Sequence, residues 1–163
     1  MKQEELNEIL EKHKKWLDNK EDGERADFYG AKLQKVNFSN ADLEGASFRA
    51  ANLKKANFIN TNLKKADFWS AELKDANFTD ANLEGAYFHS TCLQNAIFQG
   101  ANLNKADLDD SDLKNTNFTG ANFIDLREGD IDFTGANLEG AIFAPGWKIT
   151  RITEEEDVGR CTE

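Results

Sequence analysis

At 163 residues the chain is the size of one domain, and a hydrophobic content of 39% that includes twelve phenylalanines excludes wholesale disorder. A formal net charge of −10 argues against a general nucleic-acid binder and leaves an acidic protein-binding surface open. The two cysteines, Cys92 and Cys161, lie far apart and make no disulfide framework, and no signal peptide or membrane-spanning run is visible. The expectation is a soluble protein of a reducing compartment, the cytoplasm.

Residues 1–25 come first in the chain. In "LNEILEKHKKWL", Leu6, Ile9, Leu10, His13, Trp16 and Leu17 follow helical spacing, with Glu and Lys on the opposite face and Gly23 offering a stop. This predicts an N-terminal α-helix laid as a cap over the next segment, rather than a membrane-surface or partner helix. His13 lies on the apolar side and reads as a packing residue. One further histidine in the chain cannot complete a zinc set, and no metal site or cofactor is expected.

Residues 26–145 divide into 24 consecutive five-residue units without insertion. The third residue of each is its centre, from Phe28 to Phe143. Of the centres, 23 are Phe or Leu, all twelve Phe are among them, and 17 of the residues two places before a centre are Ala. A period of five gives neither a helix nor a flat strand a common face. Every centre aims inward only if the chain bends after each unit, and right-angle bends close a coil in four units. Strict alternation of Phe and Leu from Phe28 to Leu103 then stacks like on like. Phe28, Phe48, Phe68 and Phe88 fall on the first side, Phe38, Phe58, Phe78, Phe98 and Phe118 on the third, with leucine ladders between.

The motif "ANLKK", "ADFWS", "ANFTD", "ANLEG" resembles the pentapeptide repeat family. The resemblance implies an all-β solenoid, a right-handed quadrilateral β-helix, here of about six coils and about 29 Å tall at a strand spacing of ~4.8 Å. Its exposed ends need caps. The N-terminal helix supplies one. Residues 146–163 supply the other, with Trp147 covering the last coil before an acidic tail carrying Cys161 as an exposed thiol. The unit "LREGD" at 126–130 would centre on Glu128, and a buried lone carboxylate is costly. A local bulge is expected there, or an Arg127–Glu128 pair at the surface, because the rhythm resumes in frame at Phe133.

Catalysis is not expected. The interior is filled, no phosphate loop, nucleophile elbow or metal-spaced cluster occurs, and Asp109 and Asp110 would stand on a solvated wall. Glycines at the fifth place of units mark bends. Asparagines before the centres on the third and fourth sides predict stacked amide ladders. The lysines of the second side (Lys32, Lys35, Lys54, Lys55, Lys74) read as a solvating face, and Cys92 as an outward thiol with no role. The first side differs: Tyr29, Arg49, Trp69 and His89 follow the centres one above another, with Tyr87 beside His89. Exposed aromatics and arginine mark protein interfaces, so these five residues are the candidate binding patch, against the blander reading that Arg49 and Trp69 merely stack on each other.

The leading expectation is a non-enzymatic scaffold, monomeric, that binds another protein and neither membrane nor nucleic acid. Some members of the family imitate duplex DNA and bind type II topoisomerases, protecting them from quinolones, so the resemblance implies a second reading. Duplex DNA of that length carries on the order of 17 negative charges, one per ~1.7 Å. The 24 units hold 17 acidic and 11 basic residues, a net of −6, with residues 26–105 at +1 and 106–145 at −7. Such a rod is acidic at one end only, which counts against a DNA mimic.

Overall fold

The computed structural model describes residues 1–127, 129 and 131–147. Helix α1 spans Gln3–Leu17, with Glu4 and Glu5 in its first turn and Lys14 and Lys15 in its last, each opposing the helix dipole. Leu6 and His13 are buried, and Ile9 and Leu10 pack against the core. The helix ends at Leu17, short of the expected stop at Gly23. Gly23 serves a different purpose. A Cβ there would strike the Trp16 backbone, so only glycine lets the returning chain pass this close.

From Asp27 to Asn102, the residue before each centre bridges in parallel to the residue twenty positions later: Asp27 to Ser47, Lys32 to Asn52, Asn37 to Asn57, Asp42 to Asn62. Four columns of such bridges make four walls. A coil is therefore four units, as the bend argument requires. Between coils the Phe28 N–H donates to the Ser47 carbonyl at 2.7 Å and the Ser47 N–H to the Ala26 carbonyl at 2.9 Å, a pattern that repeats along the stack. At its far end β1 (Asn122–Phe123) and β2 (Ile142–Phe143) pair in parallel.

Each corner is a β-turn closed onto the centre's carbonyl, as from the Ala31 N–H to Phe28 O at 3.0 Å. Its third residue must adopt positive φ. The glycines noted in the sequence sit there, but so does every other fifth residue from Gly30 to Asp125, including Lys35 (φ 62) and Ala50 (φ 54). The residue before the centre assists: Asn57 Oδ1 accepts the Ile59 N–H at 3.0 Å, and Asp27, Asn77 and Asn117 do the same at their own corners. Local capping explains Asn and Asp at this place on all four walls. The amide ladder is real on the fourth wall, where Asn82, Asn102 and Asn122 each donate to the asparagine one coil below at 3.2–3.4 Å. It is absent among the described residues of the third, where Ile97 interrupts the column and Asn77 and Asn137 bond to threonine hydroxyls instead.

Every centre from Phe28 to Phe123 is at most 2% exposed. Phe48 and Phe68 stack at 4.9 Å, Phe68 and Phe88 at 4.9 Å, and the facing column does likewise with Phe58 and Phe78 at 4.8 Å. The two columns meet edge to face, as between Phe48 and Phe58 at 5.6 Å and 86°. Where Ala gives way to Thr or Ser beside a centre, the buried hydroxyl finds a carbonyl of the coil below: Thr61 to Phe38, Thr91 to Phe68, Ser111 to Phe88, Thr116 to Leu93. Each buried hydroxyl is thus satisfied.

The unit 126–130 keeps the lattice only in part. Leu126 is buried in the place of an alanine, and the Arg127 N–H still donates to Ala106 O at 3.1 Å. Among the described residues no bridge joins Asp107 or Asp112 to the coil above, and pairing resumes with Asn117 and Asn137 on the third wall. Glu128 lies outside the described residues, as do Lys148–Glu163 and the expected tail. Trp147 stacks on Phe143 at 5.2 Å, the covering role expected of it. Cys92 corrects the reading of an outward thiol. It is 6% exposed, because the place before a centre is half covered by its ladder neighbours. Cys161 lies outside the described residues.

Candidate protein-binding face on the first wall

On the first wall two columns flank the buried Phe stack. After the centres come Tyr29, Arg49, Trp69, His89 and Asp109; before them come Asp27, Ser47, Asp67, Tyr87, Asp107 and Arg127. Tyr29, Trp69 and Tyr87 are 72%, 43% and 40% exposed, and among the described coil residues these are the exposed aromatics. The structure therefore brings all five predicted residues onto one wall. They fall into three groups, with Tyr29 standing apart.

The first cluster is Arg49, Trp69 and Asp67. The guanidinium carbon of Arg49 lies 4.1 Å from the Trp69 ring centroid and its Nη1 lies 3.7 Å from Asp67 Oδ2. Arg49 does stack on its neighbour, yet both remain at the surface. Arg49 covers one face of the indole, which stays 43% exposed. The second cluster centres on Tyr87, and sequence reading missed its partner. Arg127 reaches down from the irregular unit, its guanidinium 5.3 Å from the Tyr87 centroid and 3.1 Å from Asp107 Oδ2. Asp107 is its ladder neighbour, and the expected pairing of Arg127 with Glu128 lies outside the described residues. Counting in twenties from Asp107 would have placed Arg127 there.

His89 stands among acids. Its Nδ1 is 3.8 Å from Asp109 Oδ2 and its Nε2 3.8 Å from Asp110 Oδ2. Taking one donor atom from each residue, the three lie within 4.8 Å of one another. These donor types suit a divalent ion, but the two carboxylates address opposite ring nitrogens and an ion would take one. The arrangement makes the upper part of the wall acidic and the lower part aromatic. A shallow groove of about 300 Å³ lies elsewhere, between α1 and the first coil, lined by Glu5, Glu8, Ile9, Lys12, Glu24, Arg25 and Asp27. On the second wall Lys54 pairs with Glu72 at 3.2 Å, which supports its reading as a solvated face. Among the described residues no helix is long and apolar enough to cross a membrane.

A stack of four-walled coils with a filled interior and one distinctive face defines a β-helical solenoid. The family profile "Pentapeptide repeat region" matches residues 23–98, and "Pentapeptide repeats (8 copies)" matches residues 96–127. A pentapeptide repeat protein of the Arabidopsis thaliana thylakoid lumen is similar at 32% identity and a TM-score of 0.61, over 63% of this chain and 72% of that one. Two others are more distant. Full-length QnrB1, a plasmid-mediated fluoroquinolone resistance protein, is 20% identical over 74% of this chain and 81% of its own, with a TM-score of 0.27. HetL, involved in heterocyst differentiation regulation in Nostoc sp. strain PCC 7120, is 21% identical over 78% and 69%, with a TM-score of 0.28. The chain belongs to the pentapeptide repeat family. No curated protein matches it.

Proposed function

We propose that this chain is a non-enzymatic scaffold, a right-handed β-helix of six coils, that binds another protein through its first wall. The observation that carries the reading is the placement of Tyr29, Trp69 and Tyr87, exposed on one flat wall. Flat walls of a repeat lattice hold such rings rigidly, and rigid aromatic anchors lose little entropy on binding. Charge defines the partner's chemistry: it lays apolar surface on Tyr29 and Trp69 and directs a cationic side chain toward Asp109 and Asp110. The protein works as a monomer in the cytoplasm, without cofactor. The filled interior leaves no room for a reaction. A topoisomerase-binding role is disfavoured by charge, since the units 26–105 sum to +1; altered supercoiling by purified gyrase on adding the protein would revive it.

The test uses the full chain as bait, then measures the purified partner's affinity by calorimetry. Tyr29→Ala with Trp69→Ala is compared with a third-wall control, Thr79→Ala with Thr119→Ala. Loss of two anchors at about 1 kcal/mol or more each weakens binding roughly 30-fold or more. Equal affinity in the first-wall variant and the control sinks the assignment.

A further inference from the structure

His13 joins α1 to the solenoid and is 1% exposed. Its Nδ1 accepts the N–H of Ala26, the first residue of the first coil, at 3.0 Å. That bond places the ring proton on Nε2, which is buried with no hydrogen-bond partner among the described residues. The ring stacks on Trp16 of the same helix, with centroids 5.4 Å apart. The charged groups facing it are Arg25, from the segment after the helix, and Asp42, from the fourth wall of the first coil. Both are engaged: Arg25 donates to Gly45 O at 3.2 Å, and Asp42 accepts from Asn62 Nδ2 at 2.8 Å. A proton added at Nδ1 would face the Ala26 N–H, donor against donor. It would also put a charge where nothing is bonded to it.

Above the first coil, each amide before a centre donates to the coil beneath, as Ser47, Asn52, Asn57 and Asn62 do to Ala26, Ala31, Val36 and Ala41. The equivalent amides of Asp27, Lys32, Asn37 and Asp42 have no coil beneath them. This ladder edge stays exposed at Asp27, Lys32, Asn37 and Asp42, and α1 covers the apolar interior beside it, where Phe28, Leu33, Phe38 and Leu43 are at most 2% exposed.

We infer that His13 is a pH-sensitive latch: its protonation releases α1 from the end of the solenoid and uncovers the apolar interior of the first coil. Burial, the largest influence, pushes the His13 pKa below its ordinary value; Asp42 opposes this and Arg25 adds to it. An unfolded histidine titrates near ~6.5. The latch is therefore fully closed above that pH, and its contribution is lost as pH falls from there toward the lower folded pKa.

Hydrogen exchange of the full chain at about pH 7.5 and 5.0, corrected for intrinsic rates, tests this. Protection of residues 3–17 should fall about tenfold or more at the lower pH while residues 46–105 keep theirs. His13→Asn retains an acceptor for the Ala26 N–H but no titrating group, and should abolish the difference. Unchanged protection of α1, or equal sensitivity in His13→Asn, overturns the latch. Should His13→Asn not fold, NMR titration of the wild-type imidazole decides. A ring that stays neutral to about pH 5.0 overturns the proposal, and one that titrates together with α1 release upholds it.

Discussion

Phe68→Ala perturbs the stack where it is most continuous. Phe68 is fully buried, stacked on Phe48 and Phe88 at 4.9 Å each, and edge-on to Phe58 at 5.8 Å and Phe78 at 5.7 Å. Truncating a buried phenylalanine costs about 3–5 kcal/mol through lost transfer energy and the cavity left behind. Four ring contacts, each worth roughly 0.5–1.5 kcal/mol beyond area, place this site at the top of that range, about 5 kcal/mol. Phe28 lies at the end of the same column, with one stacked partner, Phe48, and one edge-on partner, Phe38. With half the ring contacts, Phe28→Ala should cost about 1–3 kcal/mol less. Equilibrium urea unfolding followed by far-ultraviolet circular dichroism measures both. Since domains of this kind hold only about 5–15 kcal/mol in total, Phe68→Ala can abolish folding; Phe68→Leu and Phe28→Leu then carry the comparison, and Leu108 above Phe88 shows that the column accepts an isobutyl group. Equal costs at the two sites would refute the view of the rings as one mutually supporting column.

Gly30 has φ 61 and nothing within 4 Å of a built Cβ, so Gly30→Ala isolates backbone strain and should cost about 1 kcal/mol by thermal unfolding. Thr116→Val removes the hydroxyl that donates to Leu93 O at 3.0 Å while that carbonyl keeps the Ala96 N–H, so the loss should be about 1 kcal/mol in urea unfolding rather than the larger penalty of an orphaned group. Lys54→Ala breaks the 3.2 Å pair with Glu72, whose side chains are each 30% exposed, and should cost under about 1 kcal/mol, vanishing in roughly 1 M salt.

The inward aim of the Phe and Leu centres was legible because a five-residue period admits one geometry; the Phe–Leu alternation asked only for an even number of units per coil, and right-angle bends made that number four. Trp147 was legible for a simpler reason: an aromatic just past the last repeat has an open ring to cover. The left-handed backbone at Lys35 and Ala50 was not. Their own preferences oppose it, and ladder bonds on either side override a local cost of about 1–2 kcal/mol. Arg127 was missed because its unit broke the motif, although its backbone still occupies the lattice position above Asp107. The third-wall amide ladder failed even where Asn37, Asn57 and Asn77 stand on successive coils, and Ile97 breaks the column above them. Cys92 was misjudged because burial at its position comes from the coils above and below, twenty residues away in sequence.

The division of labour within a unit explains why the first wall can carry recognition at all. The centre and the small residue before it are fixed by packing, the fifth residue by the turn, and the residue before the centre by its bond to the corner amide. The residue after the centre owes the fold nothing except an exposed surface. On the third wall that place holds Ser39, Ile59, Thr79, Gln99 and Thr119, small or neutral groups that a solvated wall accepts without consequence. On the first it holds Tyr29, Arg49, Trp69, His89 and Asp109, in which bulk and charge run in order from an aromatic lower end to an acidic upper end. The corner turn asks for neither the indole nor the guanidinium at that place, and the proposed binding of a protein surface would account for both.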